Sequence, residues 1–191
     1  MLIGIAGKAR SGKDTFATML AECLFDVTGN RFVMMAFANE LKKRIQIDFD
    51  LSYDQLWGDH KEVEDRRYPI NDRFWTAREI MQSYGEFFRS IDYNFWINNL
   101  FRTISDKEYD NVIVTDVRHT NEAEAILSNG GVLVRVDAAN RSTSTVHGSS
   151  HISETGLDGF NRFTLVVNNN KGLNELKQEA ALVASEIIKL K

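Results

Sequence analysis

Five apolar residues, Leu2–Ala6, run straight into Gly7-Lys8-Ala9-Arg10-Ser11-Gly12-Lys13-Asp14-Thr15. A short, wholly apolar run that ends at glycine reads as a buried central strand. Beyond it, Phe16, Met19, Leu20, Cys23 and Leu24 recur at three- and four-residue spacing, which predicts a helix from Lys13 to Val27. A buried strand, a Gly-x-x-x-x-Gly-Lys loop and a helix, in that order, form the arrangement that cradles a nucleoside triphosphate. Gly7 and Gly12 permit backbone angles and close approach that a side chain would obstruct. The N–H groups along Lys8, Ala9, Arg10 and Ser11, with those at the helix start, can then face phosphate oxygens, while Lys13 brings a mobile positive charge.

The loop departs from the common pattern immediately after its lysine. Asp14 stands where Ser or Thr usually gives a hydroxyl to Mg²⁺, and Thr15 is displaced by one position. One reading makes Asp14 a catalytic or metal-binding carboxylate that holds Mg²⁺ directly or through water. The other makes it a negative charge that stabilises the helix N-terminus. Thr15 is open to either an α-phosphate contact or a helix-capping role.

The remaining periodicity alternates strands with helices. Phe32–Phe37, Val112–Thr115, Val132–Val136 and Phe163–Val167 read as further strands; Asn121–Asn129 and Leu173–Leu190 read as helices. Asn39 to Thr103 reads as mainly helical, with amphipathic helices at Ala77–Arg89 and Asn94–Ile104. Within it, Gly58–Phe74 is highly charged, holds the only proline, Pro69, and is expected to be a loop or mobile cover. Asp137–Glu154 lacks periodicity and is long enough to call for a functional explanation. The order implies an α/β fold: a parallel sheet with helices on both faces, in one domain of 191 residues carrying a small insertion.

Strand three ends in Thr115-Asp116-Val117-Arg118, and in a parallel sheet such residues emerge at the carboxyl edge beside the loop. Asp116 can bind Mg²⁺ through water, and Arg118 offers a planar fork for a phosphate. The alternative is an aspartate capping the next helix and an arginine in solvent. Asn121 and Glu122, just beyond, either cap that helix or reach the site. On the amphipathic helix, Arg78, Gln82 and Arg89 lie roughly along one face, suiting a phosphate and a base edge, or else forming a surface stripe. Trp75 and Trp96 can stack on a base or fill the core. In the long loop, Arg141 can close over transferred phosphate, while His147 and His151 lack companions for a zinc site, so His151 is read as a hydrogen-bond donor that orders the loop.

Net charge is −4, so no general basic field draws the chain to nucleic acid polymers or to a membrane, and any polyanion must be met by local cations. No apolar run approaches the roughly 18 residues needed to span a bilayer. The N-terminal apolar run is too short for a signal peptide, and the single cysteine, Cys23, reads as a buried core thiol. These features lead to the expectation of a cytoplasmic protein.

Four segments together carry a resemblance: GKARSGKDT at 7–15, TAREIMQSYGEFFRSID at 76–92 followed by Phe95-Trp96, VIVTDVRHTNEAEAI at 112–126, and HISE at 151–154. The chain resembles the bacteriophage-type deoxynucleoside monophosphate kinases, within the wider nucleotide-kinase group of P-loop proteins. The resemblance implies a five-stranded parallel sheet ordered 2-3-1-4-5. It implies a core over 1–37, 107–137 and 160–191, an acceptor-binding helical region over 38–106, and a lid over 138–159. ATP and Mg²⁺ would serve as donor and cofactor, with a deoxynucleoside monophosphate as acceptor, in a monomer or homodimer in the host bacterial cytoplasm. By position, Lys13 would grip donor phosphates, Asp14 and Thr15 would complete the loop, Arg118 would face the acceptor phosphate, Gln82 and Arg89 would line its pocket, and Arg141 would sit in the lid. Kinases for other phosphorylated acceptors, of the dephospho-coenzyme A or phosphomevalonate type, and a non-kinase nucleotide switch are the competing readings.

Overall fold

The computed structural model describes residues 1–138 and 155–190. The chain forms two compact units, Met1–Ala36 with Ile104–Lys191, and Phe37–Thr103.

The first unit is built on β1 (Leu2–Ala6), β2 (Val33–Met35), β5 (Val112–Val117), β6 (Val132–Asp137) and β7 (Leu165–Asn168), while β3 (Glu64–Ile70) and β4 (Arg73–Thr76) belong to the second unit. These five strands lie in the order β2-β5-β1-β6-β7, and every pairing is parallel. Counted along the chain among themselves, they stand 2-3-1-4-5. The side chains of β1 alternate across the sheet as strand geometry requires. Ile3 and Ile5 pack with Phe16, Leu20 and Leu24 of α1 (Lys13–Thr28) and with Leu176, Ala180 and Ile187 of the C-terminal helix α7 (Leu173–Lys189). On the opposite face, a Cβ at Gly4 would lie 3.2 Å from Ile126 of α6 (Thr120–Ser128), so that helix covers the other side. Each fully buried aliphatic side chain in such a layer contributes roughly 1.5–3 kcal/mol relative to exposure. Cys23 packs at the margin of this core and is only partly buried; burial still raises its thiol pKa. Among the described residues, no helix is long and apolar enough to cross a membrane.

The second unit holds α2 (Ala38–Phe49), α3 (Tyr53–Leu56), a 3₁₀ turn at His60–Glu62, β3 (Glu64–Ile70), β4 (Arg73–Thr76), α4 (Ala77–Ile91) and most of α5 (Phe95–Asp106). Leu41, Ile45, Leu56, Ile80 and Trp96 form its core. Thr76 starts α4 with a capping box: its hydroxyl accepts from the Glu79 N–H at 3.2 Å, and its own N–H donates to the Glu79 carboxylate at 2.9 Å.

The charged stretch expected as a loop or mobile cover instead folds into the 3₁₀ turn and an antiparallel hairpin. Asn71 and Asp72 make the turn with φ of 51° and 61°, the paired positive angles of a tight hairpin loop. Strand β3 carries extra residues between the pairs Asp65↔Trp75 and Ile70↔Arg73, and Pro69, which has no N–H to give, falls within them. The hairpin is held by Asp65, which accepts from Arg67 Nη2 at 2.6 Å and Gln55 Nε2 at 3.3 Å. The Arg67 guanidinium holds the Asp65 carboxyl at about 2, against an ordinary 3.8, with burial opposing it. Because the folded value is depressed, this stabilisation is present above pH 3.8 and is lost as pH falls toward 2. Asp65→Asn should therefore lower stability near neutral pH by about 2 kcal/mol. Urea unfolding of both proteins across pH should show the gap closing below pH 3.8.

Candidate active site

At the carboxyl edge of the first unit's sheet, β1 gives way to the phosphate-loop sequence and α1 begins at Lys13. Two glycine requirements are explicit. A Cβ at Gly7 would sit 2.6 Å from Ser11 Oγ and 2.7 Å from the Val136 carbonyl oxygen. Gly12 precedes the helix with φ 82°, a left-handed conformation, and a Cβ there would lie 2.3 Å from Asn169 Nδ2. Arg10 also has positive φ, at 63°, and the Ser11 N–H closes the loop on the Lys8 carbonyl at 3.1 Å. No side chain caps the start of α1, so its leading N–H groups remain disposed toward an anion.

Lys13 is 8% exposed, and its Nζ lies 3.3 Å from Asp14 Oδ2, whose own side chain is exposed. Thr15 is likewise exposed. The Ser11 hydroxyl is buried with no hydrogen-bond partner among the described residues. Such a group is costly to leave unmatched, and inside a phosphate loop it is a donor held in waiting. The backbone here is braced from the far end of the sheet. Asn169, 3% exposed beyond β7, donates from Nδ2 to the Ser11 carbonyl at 2.9 Å, and its N–H donates to the Asp137 carbonyl at 2.6 Å.

Asp116 and Arg118 come to the same edge through an irregularity in β5. Gly4 pairs with Val114 but Ala6 pairs with Val117, so β5 carries one extra residue at Thr115-Asp116. A bulge of this kind re-aims the side chains that follow it. Asp116 and Arg118 are both half-buried. The N–H groups of Arg118 and His119 donate to Glu122 Oε2 at 2.8 and 3.0 Å. Of the two roles open to Glu122, the structure assigns the cap: this 2%-exposed carboxylate closes the start of α6.

A small cleft opens here, lined among others by Gly7, Lys8, Arg118, Arg135, Asp158 and Phe163. A second, larger one is lined by Lys8, Ala9, Ser11, Arg135, Asp137 and Asn168, among others. The segment 155–162 is tied to the unit through Lys8 to Asp158 at 3.0 Å, Thr120 Oγ1 to the Gly156 carbonyl at 3.1 Å, and Arg162 to Glu124 at 2.6 Å.

The expected site residues therefore fall into groups. Gly7, Lys8 and Arg118 share the smaller cleft, and Lys8, Ala9 and Ser11 share the larger one. Arg78, Gln82 and Arg89 share α4 in the second unit; Arg78 donates from Nε to Glu62 of the 3₁₀ turn, and Arg89 lies against Gly85. Trp96, read as a base platform or as core, is core. It is 2% exposed, gives its indole N–H to the Gly85 carbonyl at 3.2 Å, and packs edge-on to Phe88 and Phe95, which leaves no ring face for a base. Arg141, His147 and His151 lie outside the described residues. Asn169, Arg135 and Asp158 were not anticipated. Arg135 alone left a local trace, as a charge inside the apolar run Val132-Leu133-Val134-Arg135-Val136.

Comparison with known proteins matches the deoxynucleotide monophosphate kinase family over residues 53–180. A protein of Acanthamoeba polyphaga mimivirus, whose name proposes a deoxynucleotide monophosphate kinase, is 28% identical over 186 residues, covering 92% of this chain and 91% of that one. Among solved structures, shikimate kinase from Aquifex aeolicus VF5 aligns at 17% identity over 97% of this chain and 96% of its own, with a TM-score of 0.48.

Proposed function

The chain belongs to the deoxynucleotide monophosphate kinase family and is a nucleotide phosphotransferase, and from that premise we propose that it transfers the γ-phosphoryl group of ATP to a deoxynucleoside monophosphate, giving the diphosphate and ADP. The observation that carries this reading is the meeting of two features suited to phosphate at one sheet edge: the loop leading into Lys13, and Arg118, which lines a small cleft with Gly7 and Lys8.

In the proposed reaction an acceptor phosphate oxygen attacks the γ-phosphorus in line, its bond to phosphorus forms, and the bond from phosphorus to the β,γ-bridging oxygen breaks. The acceptor oxygen is already anionic near neutral pH, so no strong general base is required. The work is to bring two polyanions together and offset their repulsion. Lys13 and the loop N–H groups hold the donor, and Arg118 holds the acceptor phosphate. We assign acceptor binding to the helical region 38–106, with Arg78, Gln82 and Arg89 lining the pocket, and lid closure to 138–159, with Arg141 meeting transferred charge and His151 ordering the loop.

Asp14 and Asp116 offer hard oxygen donors, and among the described residues no group of three His, Cys, Asp or Glu side chains is assembled to hold a metal. That donor set fits Mg²⁺, which keeps several waters and takes its other ligands from phosphates, with Asp14 and Asp116 holding it directly or through water. Bound there, it would neutralise triphosphate charge.

The test is ADP release from ATP and Mg²⁺ with dAMP, dGMP, dCMP, dTMP and the four ribonucleotides offered in turn. Strong stimulation by one or more deoxynucleotides is expected. ATP turnover indifferent to all of them, or stimulated only by other phosphorylated acceptors, would overturn the reading.

A further inference from the structure

Strand β6 lies between β1 and β7 in the sheet, and Leu133, Val134 and Val136 along it are fully buried. Arg135 interrupts that run with its side chain 25% exposed. A partly buried guanidinium gives up part of its hydration, so its donors favour partners. Asp137 Oδ1 accepts from Nε at 2.7 Å, and the ring of Phe163 lies 5.3 Å from the guanidinium carbon. One carboxylate and one ring fix the plane of the group. Its Nη1 and Nη2 have no hydrogen-bond partner among the described residues, although Arg135 lines both clefts. A planar fork held at its base and open at its tip is prepared for a tetrahedral oxyanion.

Register locates the fork. Ala6 pairs with Val117 on one side and with Arg135 on the other, so Arg118 and Arg135 flank the start of the phosphate loop. The backbones of β5 and β6, each one strand from β1, are about 10 Å apart, a gap that two arginine side chains can close around a phosphate. The smaller cleft they share is formed with Gly7 and Lys8 at the start of the loop, and Gly12 and Lys13 are not among its lining residues. A phosphate there is thus separate from the triphosphate expected at the head of α1.

We propose that Arg135 is a second phosphate-binding arginine, which together with Arg118 receives the phosphate monoester of the acceptor. Asp137 and Phe163 act as positioning residues for it. The inference rests on the kinase reading for the identity of the ligand but not for its phosphate chemistry.

The test uses the full chain carrying Arg135→Ala, Arg135→Lys or Arg135→Gln, the last preserving folding if the alanine variant does not. Loss of two charged hydrogen bonds should raise the acceptor KM roughly 10- to 100-fold in Arg135→Ala, with partial recovery in Arg135→Lys. The KM for ATP should stay within about threefold. Calorimetric titration of inorganic phosphate, with ADP saturating the loop, should show the same weakening. An unchanged acceptor KM, or ATP and acceptor KM rising together, overturns the proposal. Should the wild-type chain transfer phosphate to no deoxynucleotide, the kinase reading fails by itself, and the titration still decides the role of Arg135: affinity lost with Arg135→Ala supports it, and unchanged affinity overturns it.

Discussion

Replacing Lys13 with alanine should lower kcat/KM for phosphoryl transfer by about 10³-fold, equivalent to about 4 kcal/mol of transition-state stabilisation. Lys13 opens α1 behind a glycine locked at φ 82° and is 8% exposed, so its ammonium is held at the loop rather than ranging through solvent. In the proposed reaction that charge would act where negative charge develops on the γ-phosphoryl oxygens, in a site where water screens it poorly. Stability should change far less than activity. The partner seen for Nζ is the exposed Asp14 carboxylate, 3.3 Å away, and exposed ion pairs contribute about 0–1 kcal/mol. Thermal melts should shift by no more than about 4 °C in a chain of this size. Steady-state kinetics alongside circular dichroism separates the two effects, and near-normal turnover would remove Lys13 from the mechanism.

The second large effect is expected at Arg118. Arg118→Ala should lower kcat/KM for the acceptor by roughly 10²- to 10³-fold, while the KM for ATP stays within about threefold. The backbone N–H of Arg118 donates to Glu122 at 2.8 Å and helps close α6, a contact the alanine variant keeps. That hydrogen bond comes from the main chain and is available to alanine or lysine at position 118. Arg118→Lys keeps the charge but loses the planar fork, and should recover only part of the activity. Equal losses for donor and acceptor would place Arg118 outside the acceptor site.

Much of the donor side was legible because its signals are local. The strand at Leu2–Ala6, the spacing from Gly7 to Lys13 and the helical period from Phe16 to Leu24 lie within a few residues of each other, and β1 and α1 occur where they predict. The hairpin of the second unit was not legible. Its strands are charged, contain Pro69 and pair out of step, so no period-2 pattern survives, and the Asn71-Asp72 turn was its main clue. Trp96 offered no means of choosing between base stacking and core, because the aromatic cluster around it joins α4 to α5 through the fold. The bracing of the phosphate loop was hidden for a related reason: Asn169 and Ser11 are 158 residues apart and meet only because β6 and β7 extend the sheet on the far side of β1. Arg135 was visible as an anomaly in an apolar strand, but its meaning needed the register that sets it level with Ala6.

The most direct measurement follows the phosphoryl group itself, with ATP labelled at the γ-phosphate, Mg²⁺ and each deoxynucleoside monophosphate, and the products separated after a single turnover. The label should appear in the β-position of a deoxynucleoside diphosphate, in step with ADP. Label recovered only as inorganic phosphate, or retained in ATP with every acceptor, would contradict the assignment of deoxynucleoside monophosphate kinase activity.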